Sequence, residues 1–331
     1  MTWAPDPRRF LADLEAKPAA LRALADALVA ERPWGLLPAE PRRVVLLGMG
    51  SSWFAAQVGA ARLRALGVDA MAERASARAA HPGGPGTLAV GISASGGTEE
   101  TVDALRRHAE RGSDAVALTN TAGSSITRIG TRSVEMLAGT EAGGVACRSF
   151  QHTLAILLDL ESELGGGVRV GDVARGAAEA TDDLLARRDD WLPETVERLT
   201  GTGQAFLIAP AERISSAEQG ALMLREGPRL SADGCETGDW LHVDVYLTEP
   251  LDYRALLFTG SRFDDPVMTW IADRGSSVVA VGAERPGAAA TVRFRGDDDP
   301  DVALLAEVLV PELVSAAAWV AHADAGTDAG A

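Results

Sequence analysis

The sequence predicts an α/β protein made of two doubly wound domains, each a parallel sheet flanked by helices. Three observations carry the prediction. Short, wholly apolar runs such as VVLLG (44–48), LAVGI (88–92) and AFLIA (205–209) alternate with helical stretches. Strands with no polar face are the mark of parallel sheets covered on both sides. Several of these runs end in turns rich in Gly, Ser and Thr, and the alternation begins afresh near residue 204.

Taken in order, residues 6–32 place Phe10, Leu11, Leu14, Leu21, Leu24, Ala25 and Leu28 at helical spacing, with a break near Pro18. RVVLLGMGSS (43–52) reads as a strand and its turn, followed by an Ala-rich helix over 53–66 that stops at Gly67. A short strand near 68–72, the loop HPGGPG (81–86) and the strand 87–93 lead to a second hydroxyl turn. Then come a helix over 99–111, strands 115–120 and 132–137, and an apolar helix over 151–164. The second series has strand 204–209, helix 215–226, strand 253–261, helix 265–274, strand 276–282 and an apolar helix 302–321. The expected organisation is a helical segment over 1–36, a first domain over 37–165, a helical junction over 166–195 and a second domain over 196–322. The tail 323–331, ADAGTDAGA, lacks the apolar content to pack.

The chain of 331 residues carries a formal net charge of −16. Nucleic-acid binding rests on Lys and Arg neutralising phosphates, so that class of partner is not expected. No apolar run in the sequence reaches the roughly 18 residues of a membrane span, and the start lacks the cationic-then-apolar order of a secretory signal. A cytoplasmic protein without a membrane partner is expected. The two cysteines, Cys147 and Cys235, form no CxxC pair and read as buried thiols of a reducing compartment. Lys17 is the only lysine, and no GxxxxGK[ST] is present, which excludes a P-loop.

The chemistry concentrates in two places. GISASGGTEET (91–101) sets Ser93, Ser95 and Thr98 among glycines at a strand-to-helix turn. Glycine lets backbone amides approach a ligand, and a helix N-terminus aims unpaired N–H groups at it, which suits phosphate. GMGSSW (48–53) offers Gly50, Ser51 and Ser52 at the end of the first strand. Its resemblance to a dinucleotide fingerprint fails at Trp53, where a third glycine is required, although Glu73 lies near the distance of a ribose-binding acid. Serine and glycine also make ordinary turns and N-caps, but two such turns at matching strand ends favour one anion crevice.

In the second half, Gln219, Met223 and Glu226 fall on one helical face, and Glu226 ends the helix before Gly-Pro. The helix dipole there disfavours negative charge and raises the pKa, which suits a proton shuttle. Spacing alone favours a solvated helix-end carboxylate. Of the five histidines, His108 is expected on a solvated helix face, His81 in a loop, His152 capping or packing a helix and His322 beside the tail. His242 in DWLHVDVY is placed in a polar loop leading to strand-like residues, where a structural histidine is the plainer reading. No HxH or HExxH occurs, so no dedicated metal site is expected.

Together these segments resemble the sugar-isomerase (SIS) domain family in its double-domain form, as in the isomerase half of glutamine–fructose-6-phosphate aminotransferase and in phosphosugar deaminases and deglycases. The family's G-T-S and S-x-S-G-x-T turns are similar to Gly50-Ser51-Ser52 and to the stretch from Ser93 to Thr98 that includes Gly96. Its A-G-x-E-x-x-V-A-S-T-K stretch is similar to Ala138–Glu141 and Val145-Ala146-Cys147-Arg148. A Glu and a His sixteen residues apart match Glu226 and His242.

The resemblance implies that the hydroxyl turns, with Glu141, Ala146 and Cys147, hold a sugar phosphate. It implies that His242, from this chain or a neighbouring subunit, opens the ring and that Glu226 shifts a proton through an enediol. It also implies a homodimer that needs no cofactor. Four departures mark the chain. Met223 stands where the aminotransferase has lysine, Ala94 where Gln is common, Val243-Asp244 where Gly-Pro follows the His, and no C-terminal lysine is present. With no glutaminase segment in the match, aminotransfer is not expected. Isomerisation, deamination or deglycation, or sugar-phosphate sensing without turnover, is.

Overall fold

The structure is a computed structural model, and it describes residues 5–35, 37 and 41–328. The chain divides into two compact units. One comprises Ala20–Thr140 with Arg148–Arg175; the other comprises Met1–Ala19, Glu141–Cys147 and Gly176–Ala331. The chain begins with α1 (Pro7–Glu15) and α2 (Lys17–Glu31), separated at Ala16 just ahead of Pro18. Asp6 caps α1 by accepting from the amides of Arg8 and Arg9.

The first unit is built on β1 (Arg43–Gly48), β2 (Ala70–Arg74), β3 (Thr87–Ile92), β4 (Asp114–Thr119) and β5 (Arg132–Glu135). They form one parallel sheet in the order β2-β1-β3-β4-β5. Helices α3 (Ser51–Ala65), α4 (Glu99–Glu110) and α5 (Arg148–Glu161) belong to this unit. Val44 to Leu47 of β1 are all at most 1% exposed, which accounts for their unbroken apolarity. Burying each such side chain contributes about 1.5–3 kcal/mol. Helix α3 begins at Ser51, two residues before the expected start, because Gly48 lets the first turn lie against the strand end. A Cβ on Gly48 would come within 2.8 Å of the Ser52 backbone.

The second unit repeats the plan. After α6 (Val170–Ala186) and α7 (Arg188–Thr200) come β6 (Gln204–Ala209), α8 (Ile214–Glu226), β7 (Ser231–Glu236), α9 (Thr237–Trp240), β8 (Arg254–Phe258), α10 (Asp264–Asp273), β9 (Ser277–Val281) and β10 (Ala290–Val292). The parallel sheet runs β10-β9-β8-β6-β7. With strands counted from the first of each series, both sheets read 2-1-3-4-5.

Several expectations are corrected. The stretch around His242 is neither a polar loop nor a strand. It is the short α9 followed by a 3₁₀ turn over Asp244–Thr248, anchored by the indole N–H of Trp240 donating to the Tyr253 hydroxyl at 2.8 Å. The polar edge strand β7 and the three-residue β10 have no counterpart in the sequence reading. The final helix is two segments, α11 (Pro300–Ala306) and α12 (Leu309–Asp328), so residues 323–328 of the expected loose tail are helical. Residues 329–331 lie outside those described. The helical run Pro300–Ala325 is also long and apolar enough to cross a bilayer by length and composition, contrary to the sequence reading. It is a core element, since 89% of its most apolar window is buried inside the molecule.

Candidate functional site

In the first unit, β1 and β3 are neighbours and run parallel, with Leu47 opposite Gly91. Their C-terminal ends flank the point where strand order reverses, which is where open α/β sheets bind ligands. The turn after β3 is held in a defined shape. Ser93 is buried, and its hydroxyl lies 3.0 Å from that of Thr98 and accepts from Gly96 N at 3.1 Å. Gly97 N donates to Ser95 Oγ at 3.3 Å. Gly96 needs to be glycine twice over, because its φ is +62° and a Cβ would fall 1.9 Å from Ser124 Oγ. The Ala94 carbonyl accepts from Asn120 N and from the hydroxyls of Thr119 and Thr121, which ties the turn to the end of β4.

Thr98 is the N-cap of α4, yet no side chain caps the helix. Its first-turn amides therefore keep the donor capacity that an anion uses. Ser95 and Gly97 are exposed and Thr98 half-exposed, so ligand-capable hydroxyls are accessible. The turn after β1 is similar. Gly50, with φ +51°, is the N-cap of α3 and makes no side-chain cap, while Ser51 and Ser52 form the first helical residues and are half-exposed.

The other sequence-derived residues fall in the second unit. The loop 141–147 is fixed from several directions. Asp13 of α1 accepts from Gly143 N at 2.7 Å, Glu141 Oε1 accepts from Cys147 N at 2.7 Å, and Gln219 Nε2 of α8 donates to the Ala146 carbonyl at 3.0 Å. Glu141, Ala146 and Cys147 are thereby brought together with α8, whose last residue is Glu226. Sequence reasoning does not assign Asp13 and Gln219 this holding role. Their partners lie 130 and 73 positions away, so no local spacing could reveal it.

Glu226 is half-buried, and its carboxylate has no hydrogen-bond partner among the described residues. Burial raises its pKa above the ordinary glutamate value, and the guanidinium groups of Arg229 and Arg225 pull part of the way back. Desolvation thus dominates, where the sequence points to the helix dipole. His242 is exposed, with its backbone N bonded to the Asp239 carbonyl. No hydrogen bond joins the Glu226 and His242 side chains among the described residues.

Lys17 is fully buried and ion-paired with the equally buried Glu312 in this unit. Burial, offset in part by Lys17, raises Glu312 to about 7. Cys147 is buried, and its thiol is pushed well up by burial and then by Glu141. Cys235 is only half-buried, contrary to expectation. Its thiol rises to about 12 through burial and then the charge of Asp244. His108, expected on a solvated face, is 3% exposed with Nδ1 3.3 Å from Ser113 Oγ. His152 is buried with Nδ1 2.8 Å from the Met136 carbonyl.

Residues 39–160 match the SIS domain. Glutamine–fructose-6-phosphate aminotransferase [isomerizing] of Pyrococcus horikoshii is 30% identical over 217 residues, which are 62% of this chain and 36% of that protein. The chain spans less than half the length of the curated relatives it matches. Among solved structures, the C-terminal domain of glucosamine-fructose-6-phosphate aminotransferase from Francisella tularensis superposes with a TM-score of 0.80 at 15% identity, covering 94% of this chain and 95% of that one. Tagatose-6-phosphate ketose/aldose isomerase from Escherichia coli gives 0.78 at 14% identity, covering 97% and 96%. At such identities the likeness shows a shared fold, two parallel five-stranded sheets flanked by helices.

Proposed function

We infer that this SIS-domain chain binds a hexose or amino-hexose phosphate and moves a proton between two adjacent sugar carbons. The observation that carries the reading is the open turn after β3, with accessible hydroxyls on Ser95 and Thr98 set against helix amides that no side chain caps. Ser51 and Ser52 add hydroxyls at the neighbouring strand end.

Glu226 supplies the acid–base group. Its carboxylate removes the proton from one of the C1–C2 pair, the electron pair forms an enediol, and the same carboxyl returns the proton to the other carbon. A carboxyl whose pKa is lifted by burial is suited to both halves of that transfer. The ring is opened beforehand by proton transfer at the ring oxygen, a role proposed for His242 of the same chain or of a second copy in a homodimer. Deamination or deglycation would follow from the same proton transfer on an amino-substituted carbon.

One observation favours a second reading, sugar-phosphate sensing without turnover. Met223 is buried with its sulfur 3.6 Å from Gln219 Nε2, at the position where the resemblance places a lysine. Incubation with fructose 6-phosphate and glucosamine 6-phosphate in deuterated water separates the two. Deuterium should enter at C1 or C2, and Glu226→Gln should slow its entry by about 10²–10⁴-fold while leaving binding intact. Binding without exchange in the wild type would favour the sensor.

A further inference from the structure

We propose that the first unit holds a second oxyanion site, separate from the hydroxyl turns, that takes hydrogenphosphate between the end of β2 and the end of α4. A cavity of ≈ 80 Å³ is lined there by Arg74, Arg78, Arg107 and Arg111, together with Glu73. One water needs only ~10–15 Å³ of such space, so the cavity has room for a tetrahedral oxyanion.

In a chain of net charge −16, four arginines line this cavity and none is ion-paired among the described residues, although the Arg111 guanidinium donates to the Pro82 carbonyl at 2.9 Å. Elsewhere in the same unit arginines face a carboxylate, as Arg43 does Asp69 and Arg62 does Glu161. All four are exposed, so solvent screens their mutual repulsion, while an anion seated among them is attracted by each. The surplus is felt by the histidine that lines the same cavity. His108 is held down to about 4, first by burial and then by His81, Arg107 and Arg111.

The single carboxylate supplies selectivity. Glu73 Oε1 accepts from His81 N at 2.7 Å, while Oε2 is buried with no hydrogen-bond partner. An orphaned buried acceptor is costly and calls for a donor. Inorganic phosphate at neutral pH retains at least one P–O–H that can donate to Oε2, whereas sulfate has none. Guanidinium groups bind the remaining oxygens through charge-assisted hydrogen bonds. The Arg74 guanidinium is held on the Trp53 ring, its Cζ lying 3.6 Å from the ring centroid.

The test is calorimetric titration of the full chain with inorganic phosphate and with sulfate at fixed ionic strength. Ser95→Ala/Thr98→Ala is used as the background, to weaken the hydroxyl turn. Phosphate should bind at least about tenfold more tightly than sulfate, the weight of one hydrogen bond to a charged group. Arg78→Gln/Arg107→Gln should weaken phosphate by at least about tenfold, and Glu73→Gln should bring the two anions within about threefold of each other. Arg78 and Arg107 are exposed, so their replacement leaves the core intact, and the double arginine variant decides the matter if Glu73→Gln does not fold. Sulfate binding as tightly as phosphate, phosphate binding indifferent to the arginine variant, or no phosphate binding in the background variant would overturn the proposal. These outcomes are independent of whether a sugar phosphate binds the hydroxyl turn.

Discussion

In the first sheet the turn after β3 leaves hydroxyls accessible, whereas the amides of the matching turn after β8 in the second sheet are taken up by the chain itself, although α10, like α4, has no side-chain cap. There, Gly260 N and Ser261 N donate to the two oxygens of Asp264, at 2.7 and 3.2 Å, and Arg285 completes the set at 2.6 Å. Asp264 is 1% exposed and opens α10, the counterpart of α4. At the end of the neighbouring β6, Arg213 is spent on Glu307 and the Thr259 carbonyl. Both sheets thus place amides at the switch point, but one carries its own carboxylate where the other leaves room for a ligand's anion. Strand order provides the location for an anion site. Whether the site is open depends on whether the sequence supplies an internal anion.

That contrast can be broken from either side. Asp264→Ala should have the largest effect on stability, because it strands Arg285 and two turn amides. A loss of about 3 kcal/mol in urea unfolding is expected, in line with breaking a buried pair, with sugar-phosphate binding by the folded protein unchanged. Gly96→Ala closes the first turn instead. The positive φ and the clash with Ser124 should cost about 1–3 kcal/mol and remove sugar-phosphate binding together with it. A Gly96→Ala protein that binds normally would show that the shape of the turn is irrelevant.

The smallest effect sharpens the electrostatic side of the comparison. Glu312, in the second unit, has its pKa raised from 4.5 to about 7, so the folded chain holds a proton that the unfolded chain has released. Its stabilising contribution is fully present below 4.5 and is lost as the pH rises through about 7. Asp159 in the first unit, raised to about 6 by burial, acts in the same direction over a lower window. Lys17 pulls Glu312 down, so Lys17→Met should move the upper limb of the stability profile to higher pH. Urea midpoints between pH 5 and 8 measure the shift, and profiles that coincide would show the pair to be uncoupled.

How much of this is legible in the sequence depends on what each residue touches. β1, β3, β4 and β6 are readable to within about a residue because strands buried on both faces are apolar throughout. β7, SADGCE, is not, because a largely polar edge strand carries no such signal. The hydroxyl turns are visible as local motifs. The anchoring of loop 141–147 by Asp13 and Gln219, and the convergence of arginines from β2, the following loop and α4, arise only from folding. Glu226 can be placed at its helix end from Gly-Pro alone, but the burial that raises its pKa cannot.

The most direct measurement is calorimetric titration of glucosamine 6-phosphate into the wild type, Ser95→Ala/Thr98→Ala and an Asp264 variant that remains folded. An open first turn and a self-filled second one predict a single phosphosugar per chain, weakened about 10²-fold or more by losing two hydroxyl contacts to a charged group and untouched by the Asp264 change. Binding that survives loss of the Ser95 and Thr98 hydroxyls, or that disappears with Asp264 alone, would contradict it.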